Sequence, residues 1–169
     1  MLLNLLVTVI FSYVLIQLII KYAHAMHLID IPNHRSLHKD IIPRGAGVGF
    51  VLSMILSVGL YDFTMFVSYW YVFVSIVIVF IVGIIDDIYG VQVKSKFITI
   101  FMATTLLWWY GISIGTLGSY VGMEFNLGWL SLPFSMIALA GFTNALNLID
   151  GMDGLAGSIS IIILGFLDI

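Results

Sequence analysis

Two adjacent carboxylates, Asp86 and Asp87, close an apolar run that begins at Val77. If that run is a helix, its C-terminal end carries partial negative charge, so each carboxylate is repelled by its neighbour and by the helix dipole. A cation between them relieves both repulsions. The chain has no cysteine, which leaves hard oxygen donors, and those favour Mg²⁺, with Mn²⁺ as the second choice and substrate phosphates completing the shell. A solvated acidic cap that simply stops the helix explains the pair equally well when it is taken alone.

The second cluster is Asn144-x-x-Asn147-x-x-Asp150-Gly-x-Asp153-Gly. Neighbours three apart share a face of a helix, so the strip starts inside an apolar segment and reaches water near Asp150. Gly151, Gly154 and Gly157 favour a break and a close backbone approach. A following helix then points unpaired N–H groups at the same place, an arrangement that suits phosphate. Asn144 alone serves equally well as glue between membrane helices. The whole strip, with its two carboxylates, favours function, because polar groups at membrane depth are costly.

A third cluster runs from Asp30 through Asn33, His34, Arg35, Ser36 and His38 to Pro43, Arg44, Gly45 and Gly47. It offers cationic and hydrogen-bonding groups for phosphate oxygens or a lipid head group. The Gly45/Gly49 spacing is better suited to helix packing than to a ligand. Lys94 and Lys96 follow the Asp pair closely, either to neutralise a diphosphate or to anchor a helix at anionic lipid.

The elements that must hold these groups are membrane helices. Of the 169 residues 62% are hydrophobic and 9% charged, and mean hydropathy is +1.16. A soluble domain needs roughly a quarter of its residues charged to wet its surface. Here lipid must supply the missing cover. The net charge of −3 and the lack of a basic run exclude nucleic acid as a partner. The first apolar stretch has no basic leader and no small-residue cleavage site, so it reads as a retained anchor.

With about 20 apolar residues per span, the expected fold is all-α and polytopic, with about six transmembrane helices in one integral membrane domain, 1–169. The spans fall at residues 2–22, 45–61, 65–85, 97–114 and 129–148, with a sixth starting near Gly154. Alternating loops put segments 23–44, 86–96 and 150–153 on one side. The turn near Asp62 and the glycine-rich segment 115–128, a candidate hairpin, fall on the other. Lys21, Arg35, Lys39, Arg44, Lys94 and Lys96 are all the basic residues, and all lie on the first side with the four histidines. The positive-inside bias makes that side cytoplasmic. Trp108, Trp109, Tyr110 and Trp129 flank the hairpin segment as interfacial aromatics.

Asp86-Asp87-Ile-Tyr-Gly, followed by Asn144-Ala-Leu-Asn147-Leu-Ile-Asp150-Gly-Met-Asp153-Gly-Leu-Ala, resembles the polyprenyl-phosphate hexosamine-1-phosphate transferases. That multi-spanning family also contains the phospho-MurNAc-pentapeptide translocase. The loop Pro32-Asn33-His34-Arg35-Ser36-Leu37-His38 with Pro43-Arg44-Gly45 looks like its first cytoplasmic motif. The resemblance covers essentially the whole chain. It implies Mg²⁺-dependent transfer of a sugar 1-phosphate, of N-acetylhexosamine type, from a UDP-sugar to undecaprenyl phosphate. UMP is released and a cell-surface glycan is initiated. The setting would be a bacterial cytoplasmic membrane, with homodimer assembly left open. By the same resemblance Asp86 and Asp87 serve the metal and the acceptor phosphate. Asn147, Asp150 and Asp153 look like nucleotide-side and catalytic contacts, joined by Asn144. His38, Arg44 and Gly45 border the nucleotide pocket. Lys94 and Lys96 stand as further substrate-binding candidates on their proximity to the Asp pair, outside what the resemblance assigns.

Three departures accompany the likeness. Gly90 stands where the family usually has Asp or Lys, and Gly45-Ala46 stands for a usual Gly-Gly. The family fold has roughly ten helices, with a further acidic residue and a histidine-rich motif in later loops, and this chain matches its N-terminal half. The 169-residue chain alone is therefore expected to be inactive. Two readings compete with an enzyme. A non-catalytic relative would bind nucleotide sugar or lipid phosphate at most. A transporter would place polar groups deep in several spans, whereas here they gather at one face. The enzyme reading rests on the carboxylates near Asp87 and Asp150 meeting in one water-filled pocket beneath the inner leaflet.

Overall fold

A computed structural model describes residues 2–26, 28–30, 42–43, 45–120, 122–149 and 155–167. Two compact units divide the chain, Met1–Tyr110 and Gly111–Ile169. Among the described residues the fold is all-α apart from two small antiparallel ladders. Among the described residues three helical stretches are long and apolar enough to cross a membrane: Leu5–Tyr22, Trp70–Tyr89 and Gly128–Ile149. Ala46–Tyr61 and Gly157–Phe166 are shorter apolar helices. Together they give a polytopic membrane protein, as the apolar runs predict.

The first unit is built from two helical hairpins. Helix α1 (Leu2–Tyr22) packs against α2 (Ala46–Tyr61) through small residues. A Cβ added to Gly49 would lie 2.6 Å from Ile16 Cγ1 and 3.2 Å from the Ile16 backbone nitrogen. Buried Ser53 and Ser57 continue the same ridge at four-residue steps, opposite a helix whose own buried positions include Ser12 and Ile19. Where lipid is as apolar as leucine, such close backbone approach is what holds helices together. The Gly45/Gly49 spacing is thus a packing feature, as its period suggests. Gly49→Ala is expected to destabilise the protein by about 1–3 kcal/mol through overpacking, read as a lower melting temperature in detergent. Adding Ile16→Ala should recover part of the loss. An unchanged melting temperature in Gly49→Ala would contradict the close approach.

Beyond α1 the chain turns through a bonded bend, with the Leu28 N–H donating to the Ala23 carbonyl at 2.9 Å. Ala23 and Leu28 are almost fully buried. Strands β1 (Ile29–Asp30) and β2 (Ile42–Pro43) pair antiparallel, Ile29 with Pro43 and Asp30 with Ile42. This pairing pinches the two ends of the loop that carries the third sequence cluster.

The span expected at 65–85 is divided differently. Helix α3 (Phe63–Ser68) is capped by Asp62, whose side chain accepts the Met65 N–H at 2.9 Å. Tyr69 then leaves helical geometry, with φ −111 and ψ 29, and α4 runs from Trp70 to Tyr89. Helix α5 (Val93–Trp109) returns beside it, starting earlier and ending earlier than the 97–114 expected. Ser75 Oγ donates to the Tyr71 carbonyl at 2.8 Å and reaches the Ala103 carbonyl of α5 at 3.3 Å. At one end of this hairpin Tyr71 and Tyr110 stack with ring centroids 4.3 Å apart, and Trp70 meets Tyr110 edge-on.

In the second unit, strands β3 (Thr116–Tyr120) and β4 (Met123–Asn126) form the hairpin expected within 115–128. A single 3₁₀ turn, Gly128–Leu130, leads into α6 (Ser131–Ile149). Pro133 sits in its first turn, where the missing N–H costs nothing. The last described element is α7 (Leu155–Leu167).

Candidate functional site

Asp86 and Asp87 do not follow α4 but occupy its last turn, and the expected loop 86–96 shrinks to residues 90–92. The reason lies in how the turn is satisfied. The Gly90 N–H donates to the Asp86 carbonyl at 2.9 Å, and the Val91 N–H donates to Asp86 Oδ1 at 2.8 Å. Gly90 has φ +71, a conformation costing a residue with a Cβ of order 1–3 kcal/mol. That accounts locally for glycine where the family usually has Asp or Lys.

Across the turn, Lys96 Nζ forms an ion pair with Asp86 Oδ2. Lys94 and Lys96 lie in the first two turns of α5, where the helix dipole is positive and disfavours cations, just as the end of α4 disfavours carboxylates. Each charge sits at the wrong end of its own helix. The short turn brings the two wrong ends together, and the pair offsets both penalties. The cation inferred for Asp86 from sequence thus has a counterpart within the chain. This link carried a sequence signal, acid at one helix end and base at the next helix start, but without the turn length it could not be read as a pair. Asp86 is three-quarters buried and Lys96 two-thirds buried by side chain, so their attraction is screened less than at an open surface. Asp87 is half-buried beside them, and Lys94 is exposed.

Gly45 begins α2 against the Leu28 and Ile19 side chains, a packing position at the foot of the pinched loop. His38 and Arg44 lie outside the described residues. In the second unit Asn144 and Asn147 stand in the last two turns of α6, three apart and both exposed, the shared face that their spacing predicts. Asp150 and Asp153 lie outside the described residues, as does Gly151, where a break is expected from the sequence. Among the described residues no group of three or more His, Cys, Asp or Glu side chains gathers as a metal site. Two carboxylates nevertheless fit Mg²⁺, which takes one or two carboxylates and fills its remaining positions with water and phosphate oxygens.

The sequence model of glycosyl transferase family 4 matches residues 69–169. A probable undecaprenyl-phosphate N-acetylglucosaminyl 1-phosphate transferase of Bacillus subtilis is 32% identical over 138 residues, covering 79% of this chain and 38% of the relative. A phospho-N-acetylmuramoyl-pentapeptide-transferase of Clostridium beijerinckii is 38% identical over 98 residues, 50% of this chain and 30% of that protein. The undecaprenyl-phosphate alpha-N-acetylglucosaminyl 1-phosphate transferase of Escherichia coli K12 is 29% identical over 142 residues, 83% and 38% of the two chains. The chain thus spans between 30% and 38% of the length of these three relatives. No solved structure matches it. The family match begins just before α4 and takes in the Asp pair, α5, the hairpin and the asparagine strip, well over half of the chain. The chain belongs to glycosyl transferase family 4.

Proposed function

We propose that the protein transfers an N-acetylhexosamine 1-phosphate from a UDP-sugar to undecaprenyl phosphate at the cytoplasmic face of a bacterial membrane, releasing UMP and starting a surface glycan. A phosphate oxygen of the acceptor forms a P–O bond to the sugar-bearing phosphorus while the P–O bond to UMP breaks. One observation carries the reading. A helix long enough to span the bilayer carries Asp86 and Asp87 in its last turn, and after a connection of three residues, 90–92, the next helix brings Lys94 and Lys96 to that end. Anionic and cationic groups at the end of a membrane helix suit a substrate whose tail stays in lipid and whose phosphate emerges at the surface. The family's relatives are named for that class of acceptor.

In this reading Asp87, with Asp86, holds Mg²⁺ or, less favourably, Mn²⁺, and the metal supplies charge neutralisation on the diphosphate. Lys96 holds Asp86 in place, and the exposed Lys94 meets phosphate oxygens. Asn144, Asn147, Asp150 and Asp153 serve the nucleotide side, with His38 and Arg44 from the pinched loop. All six Lys and Arg residues lie in segments assigned to one side, which supports the cytoplasmic orientation.

Membranes containing the full-length gene product should convert UDP-N-acetylhexosamine and undecaprenyl phosphate to a lipid-linked sugar, with UMP released in equal amount. Binding of UDP-sugar without product, in membranes shown to hold the folded protein, would replace this reading with that of a non-catalytic relative.

A further inference from the structure

The hairpin of β3 and β4 has two chemically different faces, and its register separates them. Thr116 pairs with Asn126 and Ser119 with Glu124, so these four side chains share one face. All four are polar and exposed. The next residues along each strand point the other way. Met123 and Phe125 therefore share the second face. Leu117 joins them because the register shifts between Thr116 and Ser119, setting residues 117 and 118 opposite Phe125. Gly118, with φ +93, permits that bulge. On this apolar face Met123 is 66% exposed, Phe125 53% and Leu117 45%.

The hairpin is fixed in depth as well as in register. Its base is closed by the Leu127 N–H donating to the Gly115 carbonyl at 2.8 Å. One residue earlier the Ile114 N–H donates to Ser135 Oγ at 2.9 Å, which ties the base four residues into α6. That is about 6 Å below the first residue of the helix, at 1.5 Å rise per residue. The spanning stretch Gly128–Ile149 starts two residues after β4 ends. At that junction Trp129 is 81% exposed, as befits an aromatic at the head-group level. Between Lys96 and Asp150 the chain holds a single charged residue, Glu124, and it lies on the polar face.

We propose that the hairpin is a membrane-surface element. Leu117, Met123 and Phe125 dip into the boundary between head groups and acyl chains beside the start of α6, and Thr116, Ser119, Glu124 and Asn126 face water. The occupant of the apolar face is lipid, because β4, which carries Met123 and Phe125, runs within two residues into a membrane span and the base of the hairpin is tied within that span's first turns. A two-stranded hairpin is marginal in water by itself, and burial of an apolar face some 5–10 Å into the interface is how amphipathic elements gain stability there. The hairpin thereby sets how deep α6 sits, and with it the height of Asn144 and Asn147 at the other end. The inference rests on the membrane spans and not on the activity proposed above.

The chain's lack of cysteine makes the test direct. Single cysteines replace Leu117, Met123, Ser119 or Glu124 in a cysteine-free full chain, which is labelled with an environment-sensitive fluorophore and placed in phosphatidylethanolamine–phosphatidylglycerol vesicles. Labels at 117 and 123 should emit to the blue of those at 119 and 124. They should also be quenched severalfold more by a head-group-proximal nitroxide lipid than by aqueous iodide, with the order reversed at 119 and 124. Equal iodide quenching at all four positions would overturn the proposal by placing the hairpin in water. Protection of 117 and 123 from both quenchers would overturn it too, because protein and not lipid would then cover the face.

Discussion

Asp87→Asn in the full-length gene product is expected to lower formation of lipid-linked sugar by at least about a hundredfold, the scale on which a single electrostatic contact at a reacting phosphoryl or acyl centre acts. The substitution keeps the side chain's size and removes its charge. At the C-terminal turn of α4 that charge opposes the helix dipole and the neighbouring Asp86. The variant is expected to remain folded, with a cooperative melting transition in detergent. Loss of product from a folded protein is what a chemical role for Asp87 requires. A variant that stays within a few-fold of the parent in product formation would remove Asp87 from the site. One that loses both activity and stability would make the residue structural.

The Asp86–Lys96 pair gives the second large effect, and here stability leads. Lys96→Met removes the cation that pairs with Asp86 across the turn at the negative end of α4. Exposed pairs contribute up to about 1 kcal/mol, and breaking a buried pair costs about 3–5 kcal/mol. With both side chains partly buried, a loss of about 1–3 kcal/mol is expected, seen as a lower melting temperature. Asp86→Asn should cost less, because Asn still accepts the Val91 N–H and the dipole penalty on the carboxylate disappears. The double variant Asp86→Asn with Lys96→Met should then recover much of the Lys96→Met loss, giving a clear coupling in the cycle. The charge exchange Asp86→Lys with Lys96→Asp should regain part of the stability and none of the transferase activity, since the carboxylate no longer stands beside Asp87. Full stability in Lys96→Met together with loss of product would instead mean that Lys96 serves substrate directly and that its contact with Asp86 is incidental.

The pair also shows why the candidate site was only partly legible beforehand. Asp86, Asp87, Lys94 and Lys96 could be picked out because charge is scarce in this chain and costly near lipid. Their partnership could not be, because it depends on a turn of three residues that hydropathy does not resolve. A loop from 86 to 96 and a turn from 90 to 92 are the same letters. They differ in whether the carboxylates are spread through water or gathered against a helix start. The helices moved for related reasons. Tyr69 breaks the span expected at 65–85 although it is as apolar as its neighbours, and Asp62 begins a short helix there because its side chain caps the Met65 N–H.

Residue order alone was enough for the solvent, the rough placement of the apolar helices, the hairpin between α5 and α6, and the two acidic stretches that carry the family likeness. The solvent, the helices and the hairpin follow from composition and period, because each residue in lipid must be apolar or have a reason not to be, whereas the family follows from the likeness of its motifs. Which groups touch is visible only in the folded chain: Gly49 on Ile16, Ser75 on the carbonyl of Ala103, Lys96 on Asp86, and a bulged register that sorts the hairpin into an apolar and a polar face. Contacts of this kind turn on an ångström of approach or a single step of register, and the one-dimensional pattern is the same on either side of that step.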